Sequence, residues 1–223
     1  AYLDIKQDLE EPERMTRLLH GDVGAGKTFV AAMAAAHVAE AGSQTAIMAP
    51  TEILARQHQK TIAALLEPVG INVLTLTGRD KGKSRKALLE QSSSGQAMVV
   101  CGTHALFQND VAFRDLGLVV IDEQHRFGVS DRMRLASKGY RPETLAMTAT
   151  PIPRTLALSV YGDMDVSRLD EKPAGRKPPT TRLVSMDRLG EMVEGVRRAV
   201  TKGERVYWVC PLVEESEASE LSA

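Results

Sequence analysis

Gly21-Asp22-Val23-Gly24-Ala25-Gly26-Lys27-Thr28 decides the reading of this chain. The pattern G-x-x-x-x-G-K-T, set between an apolar run and an alanine-rich segment, is that of a loop that wraps phosphate. Gly21, Gly24 and Gly26 remove Cβ atoms where the backbone must fold tightly, so the successive N–H groups of Asp22, Val23, Ala25 and their neighbours can point at one set of oxygens. The loop then opens a helix, whose N-terminal N–H groups and dipole add to the same anion site. Lys27 is expected to reach the β and γ phosphates as a point charge, and the Thr28 hydroxyl to ligate Mg²⁺. Upstream, residues 15–20 carry Leu18 and Leu19 and read as a strand entering the loop. Downstream, Val30, Met33, Ala34, His37 and Val38 recur at helical spacing, with Gly42 as the stop.

Outward from this loop, apolar runs alternate with helical segments. Runs at 45–49, 71–76, 97–101, 116–121 and 144–147 lack the polar alternation of a half-exposed sheet, and helical patterns intervene as far as Leu66 and over 84–91. Strands of that kind form a parallel sheet covered on both faces, with ligands at their carboxyl ends. The run 116–121 ends in Asp122-Glu123-Gln124-His125. An Asp-Glu pair can cap a strand end without doing chemistry, but beside a phosphate loop it reads otherwise. Asp122 is expected to hold Mg²⁺ through water and Glu123 to orient or deprotonate an attacking water. His125 is read as coupling the nucleotide to the sheet. The run 144–147 ends in Thr148-Ala149-Thr150-Pro151-Ile152-Pro153-Arg154, where the hydroxyls can bond to the carboxylates and relay their state, and a proline can start a helix.

The 223 residues suffice for one large α/β domain, or for one domain plus part of another. A net charge of −1 predicts no global attraction to nucleic acid, so any such contact must come from a local patch. Residues 79–86 supply one, through Arg79, Lys81, Lys83, Arg85 and Lys86, with Gly78 and Gly82 suggesting a mobile loop. Arg56, Arg126 and Arg154 are scattered further candidates. Aromatic residues make up 4% of the chain, which argues against base stacking and favours backbone tracking. Trp208 reads as core. Cys101 and Cys210 each close an apolar run and suit buried, reduced thiols in a cytoplasmic protein. There is no run of about eighteen apolar residues and no secretory signal, so no membrane partner is expected. Residues 1–14 are polar, with a short helix over 4–10. The chain starts at Ala1 and stops soon after Glu214-Glu215-Ser216-Glu217, as expected of a piece of a longer chain.

With these motifs in place, the chain resembles the superfamily-two helicases and translocases. Pro50-Thr51-Glu52 matches that superfamily's motif Ia, Gly102-Thr103-His104 its motif Ib, Asp122 to His125 its Walker B motif and Thr148 to Thr150 its motif III. The strings GTHALFQ, DEQHRFGV, MTATPIPRTLA and YWVCPLVEESE are most similar to the bacterial branched-DNA helicases of that superfamily. Transcription-repair coupling translocases share RFGV and TATPIPRTL, but their expected DEEH is DEQH here. The resemblance implies a RecA-like domain over 1–171, a proline-rich linker at 172–179, and the opening of a second RecA-like domain over 180–223. That opening would be a strand at 181–185, a helix over 189–200 and a strand at 205–210. The resemblance further implies ATP and Mg²⁺ as cofactors, with Gln124, His125, Thr148 and Thr150 in coupling. It implies branched duplex DNA as partner, met through its backbone by Thr51, Thr103 and His104. The family's adenine-reading glutamine motif has no copy before Arg17, although the absence of an Asn-Lys-x-Asp guanine signature agrees with ATP. The family's arginine finger and branch-gripping wedge domain also have no counterpart in these residues. A small-molecule kinase and a non-catalytic nucleotide module are competing classes. Motifs Ia, Ib and III speak against the first, and Lys27, Thr28, Asp122 and Glu123 against the second.

Overall fold

The computed structural model describes residues 1–123, 138–150, 164–171 and 180–209. Expectations at Gln124, His125, Arg126, Pro151, Pro153, Arg154, Cys210 and the linker 172–179 lie outside the described residues. The chain divides into two compact units, Ala1–Arg176 and Lys177–Ala223.

In the first unit, seven strands form one sheet in the order β3-β4-β2-β5-β6-β1-β7. They are β1 (Thr16–Gly21), β2 (Gln44–Met48), β3 (Val73–Leu76), β4 (Val99–Gly102), β5 (Leu116–Asp122), β6 (Glu143–Thr148) and β7 (Asp165–Leu169). Every pairing is parallel. The strand residues alternate between two cores. Leu19, Ile47, Val99, Leu118, Val120 and Met147 face α1 (Tyr2–Glu10), α2 (Lys27–Glu40) and α3 (Glu52–Leu66). Ala46, Met48, Val100, Val119 and Ile121 face α4 (Gly82–Ser93) and the 3₁₀ turn His104–Phe107. Burial on both sides explains why the strands read as continuous apolar runs.

Helix α2 buries a broader face than its periodicity suggests: Val30, Ala31, Ala32, Ala34, Ala35 and Val38, with Met33 and His37 only half-buried. Small alanines let the helix lie close on the sheet. It stops where expected, because Gly42 takes φ +86°, its N–H donating to Ala39 O at 2.9 Å and that of Ser43 to Val38 O at 3.1 Å.

Two elements were not legible as core. Helix α1 inserts Ile5 fully into the sheet's first face, and Arg17 of β1 donates through Nε and Nη2 to the two oxygens of Asp8 at 2.6 and 3.1 Å. Arg17 Nη1 also donates to Ser167 Oγ at 3.0 Å, and that hydroxyl donates to Asp4 at 2.9 Å, which ties the polar edge strand β7 to α1. Cys101 is a buried free thiol, and burial pushes its pKa up to about 12.

The second unit keeps the expected helix, α5 (Leu189–Thr201), but residues 180–185 and 204–209 carry no strand. A strand needs a ladder partner for its backbone groups, and none of the described residues supplies one. Trp208, expected in a core, is 49% exposed for the same reason.

Gly102 ends β4 where a Cβ would meet the main-chain oxygen of Leu76 and come within 2.7 Å of Leu106 Cγ. We expect Gly102→Ala to force β3 and β4 apart and lower stability by about 1–3 kcal/mol, read by urea denaturation. Unchanged stability would mean that this close approach does not exist in solution.

Candidate active site

The phosphate loop leaves β1 at Gly21 and enters α2 at Lys27. Gly24 and Gly26 adopt φ +83° and +95°, the left-handed region where a Cβ is penalised, and Gly26 is the N-cap of α2. Asp22, Val23 and Gly24 are exposed, while Lys27 and Thr28 are half-buried. The Lys27 ammonium donates to Gly21 O at 2.6 Å and to Asp22 O at 3.0 Å, so it sits in the mouth of its own loop. Burial pulls its pKa below the ordinary lysine value, and the carboxylates of Asp122, Glu123 and Asp22 pull the other way. A desolvated cation beside main-chain N–H groups favours a polyanion.

Asp122 stands at the end of β5, and its register partner on β6 is Met147. Strand β6 also pairs with β1, placing Thr148 opposite His20, so the loop strand and the two motif-bearing strands are consecutive neighbours in the sheet. Glu123 follows with φ +51°, a left-handed backbone that costs a non-glycine residue about 1–2 kcal/mol. Such a residue persists only where its surroundings hold it, and these positions cluster at functional sites.

Thr148 is buried, and its hydroxyl accepts from the Thr150 N–H at 3.1 Å and lies 3.1 Å from Thr150 Oγ1. Motif III is thus closed as a hydroxyl turn. Asp122 has a partner that sequence reasoning missed, because His58 Nε2 on α3 lies 2.7 Å from Asp122 Oδ2.

The residues expected to meet DNA fare unequally. Thr51 is exposed and caps α3, accepting from the Leu54 N–H at 3.3 Å. Thr103 is 3% exposed and its hydroxyl has no hydrogen-bond partner among the described residues, so its side chain is sequestered from a backbone running outside; His104 is exposed. The basic stretch corrects the expectation of a mobile loop. Thr77 N and Oγ1 both donate to Asp80 Oδ2, at 2.7 and 3.0 Å, closing a turn, and α4 begins at Gly82. Arg85 donates from Nε and Nη2 to both oxygens of Asp110, at 3.0 and 3.1 Å, and Arg79 pairs with Glu52 at 3.0 Å while remaining 84% exposed. Lys81, Lys83 and Lys86 stay exposed around the N-terminus of α4, whose first turn has no acidic residue.

A phosphate loop, strand-end carboxylates and a hydroxyl turn on three neighbouring parallel strands are the arrangement of a RecA-like nucleotide-binding fold, and the family comparison agrees. The profile of DEAD/DEAH box helicases matches residues 7–158. The chain belongs to the DEAD/DEAH box helicase family, and its first unit is a RecA-like helicase domain. Among individual proteins it is similar to the ATP-dependent DNA helicase RecG of Haemophilus influenzae, at 53% identity over 99% of the chain and 32% of the relative. The RecG of Bacillus subtilis is 50% identical over 96% of the chain and 31% of its own length. A solved structure of RecG bound to a three-way DNA junction superposes with TM-score 0.79 at 46% identity, covering 91% of this chain and 27% of that one. The chain spans about a third of the length of the curated relatives it matches.

The missed histidine was recoverable in principle. His58 falls on the buried stripe Ala55, His58, Ile62, Ala63 and Leu66 of α3, and a polar member of an apolar stripe signals a buried partner. The cap at the same helix is directly testable. Thr51→Ala is expected to cost about 1 kcal/mol in urea denaturation, whereas Thr51→Asp, an equally good N-cap, keeps the stability of the parent. Equal loss in both variants would argue that the hydroxyl makes some other contact.

Proposed function

We propose that this chain is the ATP-binding motor portion of a DNA helicase that couples ATP hydrolysis to movement along duplex DNA and remodels branched DNA such as forks and junctions in recombination and repair. The observation that carries this reading is the convergence of Lys27, just past β1, with Asp122 and Glu123 at the carboxyl end of β5, with only β6 between the two strands of a RecA-like sheet, in a chain about half identical to RecG helicases. Residues 1–171 serve as the first motor domain, 172–179 as its linker and 180–223 as the opening of the second. Among the described residues no helix is long and apolar enough to cross a membrane. The DNA substrate and the free buried thiol of Cys101 fit a cytoplasmic setting.

The site fits Mg²⁺ and a nucleoside triphosphate. No group of three or more His, Cys, Asp or Glu forms a metal cage among the described residues, and Mg²⁺ commonly takes one or two protein ligands together with phosphate oxygens and water. Thr28 and Asp122 provide that donor set. Held by these two residues, Mg²⁺ would supply positive charge to the phosphate oxygens. The main-chain N–H groups of residues 21–28 cradle the phosphates, and Lys27 exchanges its two carbonyl acceptors for phosphate oxygens. Glu123 orients the attacking water and takes its proton. Thr148 and Thr150, with Gln124 and His125, pass the state of the site to the rest of the motor. On the DNA side, Thr51, His104, Arg79, Lys81 and Lys83 are the backbone contacts, with the Thr103 main chain beside them.

Lys27→Ala is expected to abolish binding of a fluorescent ATP analogue. Glu123→Gln should retain binding but hydrolyse ATP at least about a hundredfold more slowly, as expected for loss of a general base. Equal loss of binding in both variants would contradict these roles. A separate test measures ATP hydrolysis by the full-length protein at one fixed low salt with no DNA, linear duplex or a synthetic fork. Strong preference for the fork is the expected result; stimulation by plain duplex alone would favour a transcription-repair coupling translocase. No response to any DNA would remove the motor reading and leave a nucleotide-binding module.

A further inference from the structure

Helix α3 lies on the same face of the sheet as the β5 residues Leu118 and Val120. Strand alternation brings Asp122, two and four positions further on, to that face as well. His58 meets it there at 2.7 Å, with the two side chains only 10% and 13% exposed. A carboxylate offers only acceptors, so His58 donates from Nε2 to Oδ2. Every other residue of the α3 stripe is apolar, so the helix could have packed here with Leu or Met. The imidazole instead stands within the stripe, between Ala55 and Ile62, and spends its donor on one oxygen of one strand-end carboxylate.

Left alone, the carboxylate would turn freely, since the terminal torsion of aspartate is broad and nearly two-fold. It also feels the Lys27 ammonium, whose charge is coupled to Asp122 and Glu123. An unrestrained Asp122 would be drawn toward that cation. Lys27 instead donates to the carbonyls of Gly21 and Asp22. We propose that His58 is a positioning residue: by holding Oδ2 it orients the Asp122 carboxylate for the divalent cation that accompanies the nucleotide. This rests on the reading of Asp122 as the Mg²⁺-bearing carboxylate. Carboxylates that bind metals are themselves held by hydrogen bonds from residues that do not touch the metal, and loss of such a partner lowers metal affinity.

The test uses the full-length protein and two variants that divide the side chain's roles. His58→Leu keeps apolar volume without a donor, and His58→Gln keeps an N–H donor without the ring. Binding of a fluorescent, non-hydrolysable ATP analogue is titrated against Mg²⁺, so the readout does not depend on turnover, and circular dichroism confirms folding. His58→Leu should need about tenfold more Mg²⁺ for half-maximal binding, with metal-free nucleotide binding unchanged. His58→Gln should recover most of that shift. A Mg²⁺ midpoint for His58→Leu equal to that of the parent would overturn the proposal, as would a His58→Gln midpoint shifted as far as that of His58→Leu. If His58→Leu does not fold, His58→Ala supplies the donor-free comparison. Absence of Mg²⁺-dependent nucleotide binding in the unaltered protein would instead defeat the underlying site reading, a result distinct from failure of the variants.

Discussion

A strand buried on both faces has nowhere to put a charge except at its end, and β5 runs apolar from Leu116 to Ile121 before it reaches Asp122. Along the strand an unpaired carboxylate would lose its hydration without compensation. At the carboxyl edge it meets half-open space, the N-terminal ends of helices and the loops that join them. The same constraint acts on β1, which turns into the phosphate loop at Gly21, and on β6, which ends in the Thr148 turn. Because all the strands are parallel, these ends lie on one edge of the sheet. The site is therefore a consequence of sheet direction before it is a consequence of any particular residue.

Within that edge, the electrostatics are arranged around one desolvated cation. Lys27 is half-buried at the start of α2, where a helix N-terminus is already unfavourable for positive charge. The carbonyls of Gly21 and Asp22 and the nearby carboxylates hold it in place. A polyphosphate is the ligand that answers this combination, because it satisfies the loop N–H groups, the dipole and the ammonium together. Asp122, one of the carboxylates that act on the lysine, is itself held by His58 Nε2 at 2.7 Å.

How far this was legible in the sequence depended on whether a feature is local. The phosphate loop and the apolar run into Asp122 depend on spacing over a few residues, and they could be read directly. So could the alternation of strands and helices, since two-sided burial leaves a continuous apolar signature. Strand β7 could not, because an edge strand reading Asp-Val-Ser-Arg-Leu is composed like a loop. Its strand character comes from pairing with β1 and from the Arg17–Ser167–Asp4 links, with partners about 150 positions away. The His58–Asp122 bond spans 64 positions and left only a polar residue in an apolar stripe as its trace. The basic stretch misled in the opposite direction. Its charge density is real, but Asp80, Glu52 and Asp110 give it shape, and only the folded chain brings Glu52 and Asp110 to it.

Motif residues here also carry structural duties that spacing alone does not reveal. Thr51 caps a helix, Gly102 admits the backbone of β3, and Thr148 closes a turn. Gly21 is the sharpest case: a Cβ there would stand 2.9 Å from Leu169 Cβ and 3.3 Å from Ala25 Cβ. Both contacts are tighter than ordinary packing, so the first glycine of the phosphate loop answers to the edge strand as well as to phosphate. Strand β7 thereby helps set the point at which the chain leaves the sheet and begins to wrap. An element with no chemistry of its own, unread in the sequence, bounds the loop on which the whole site depends.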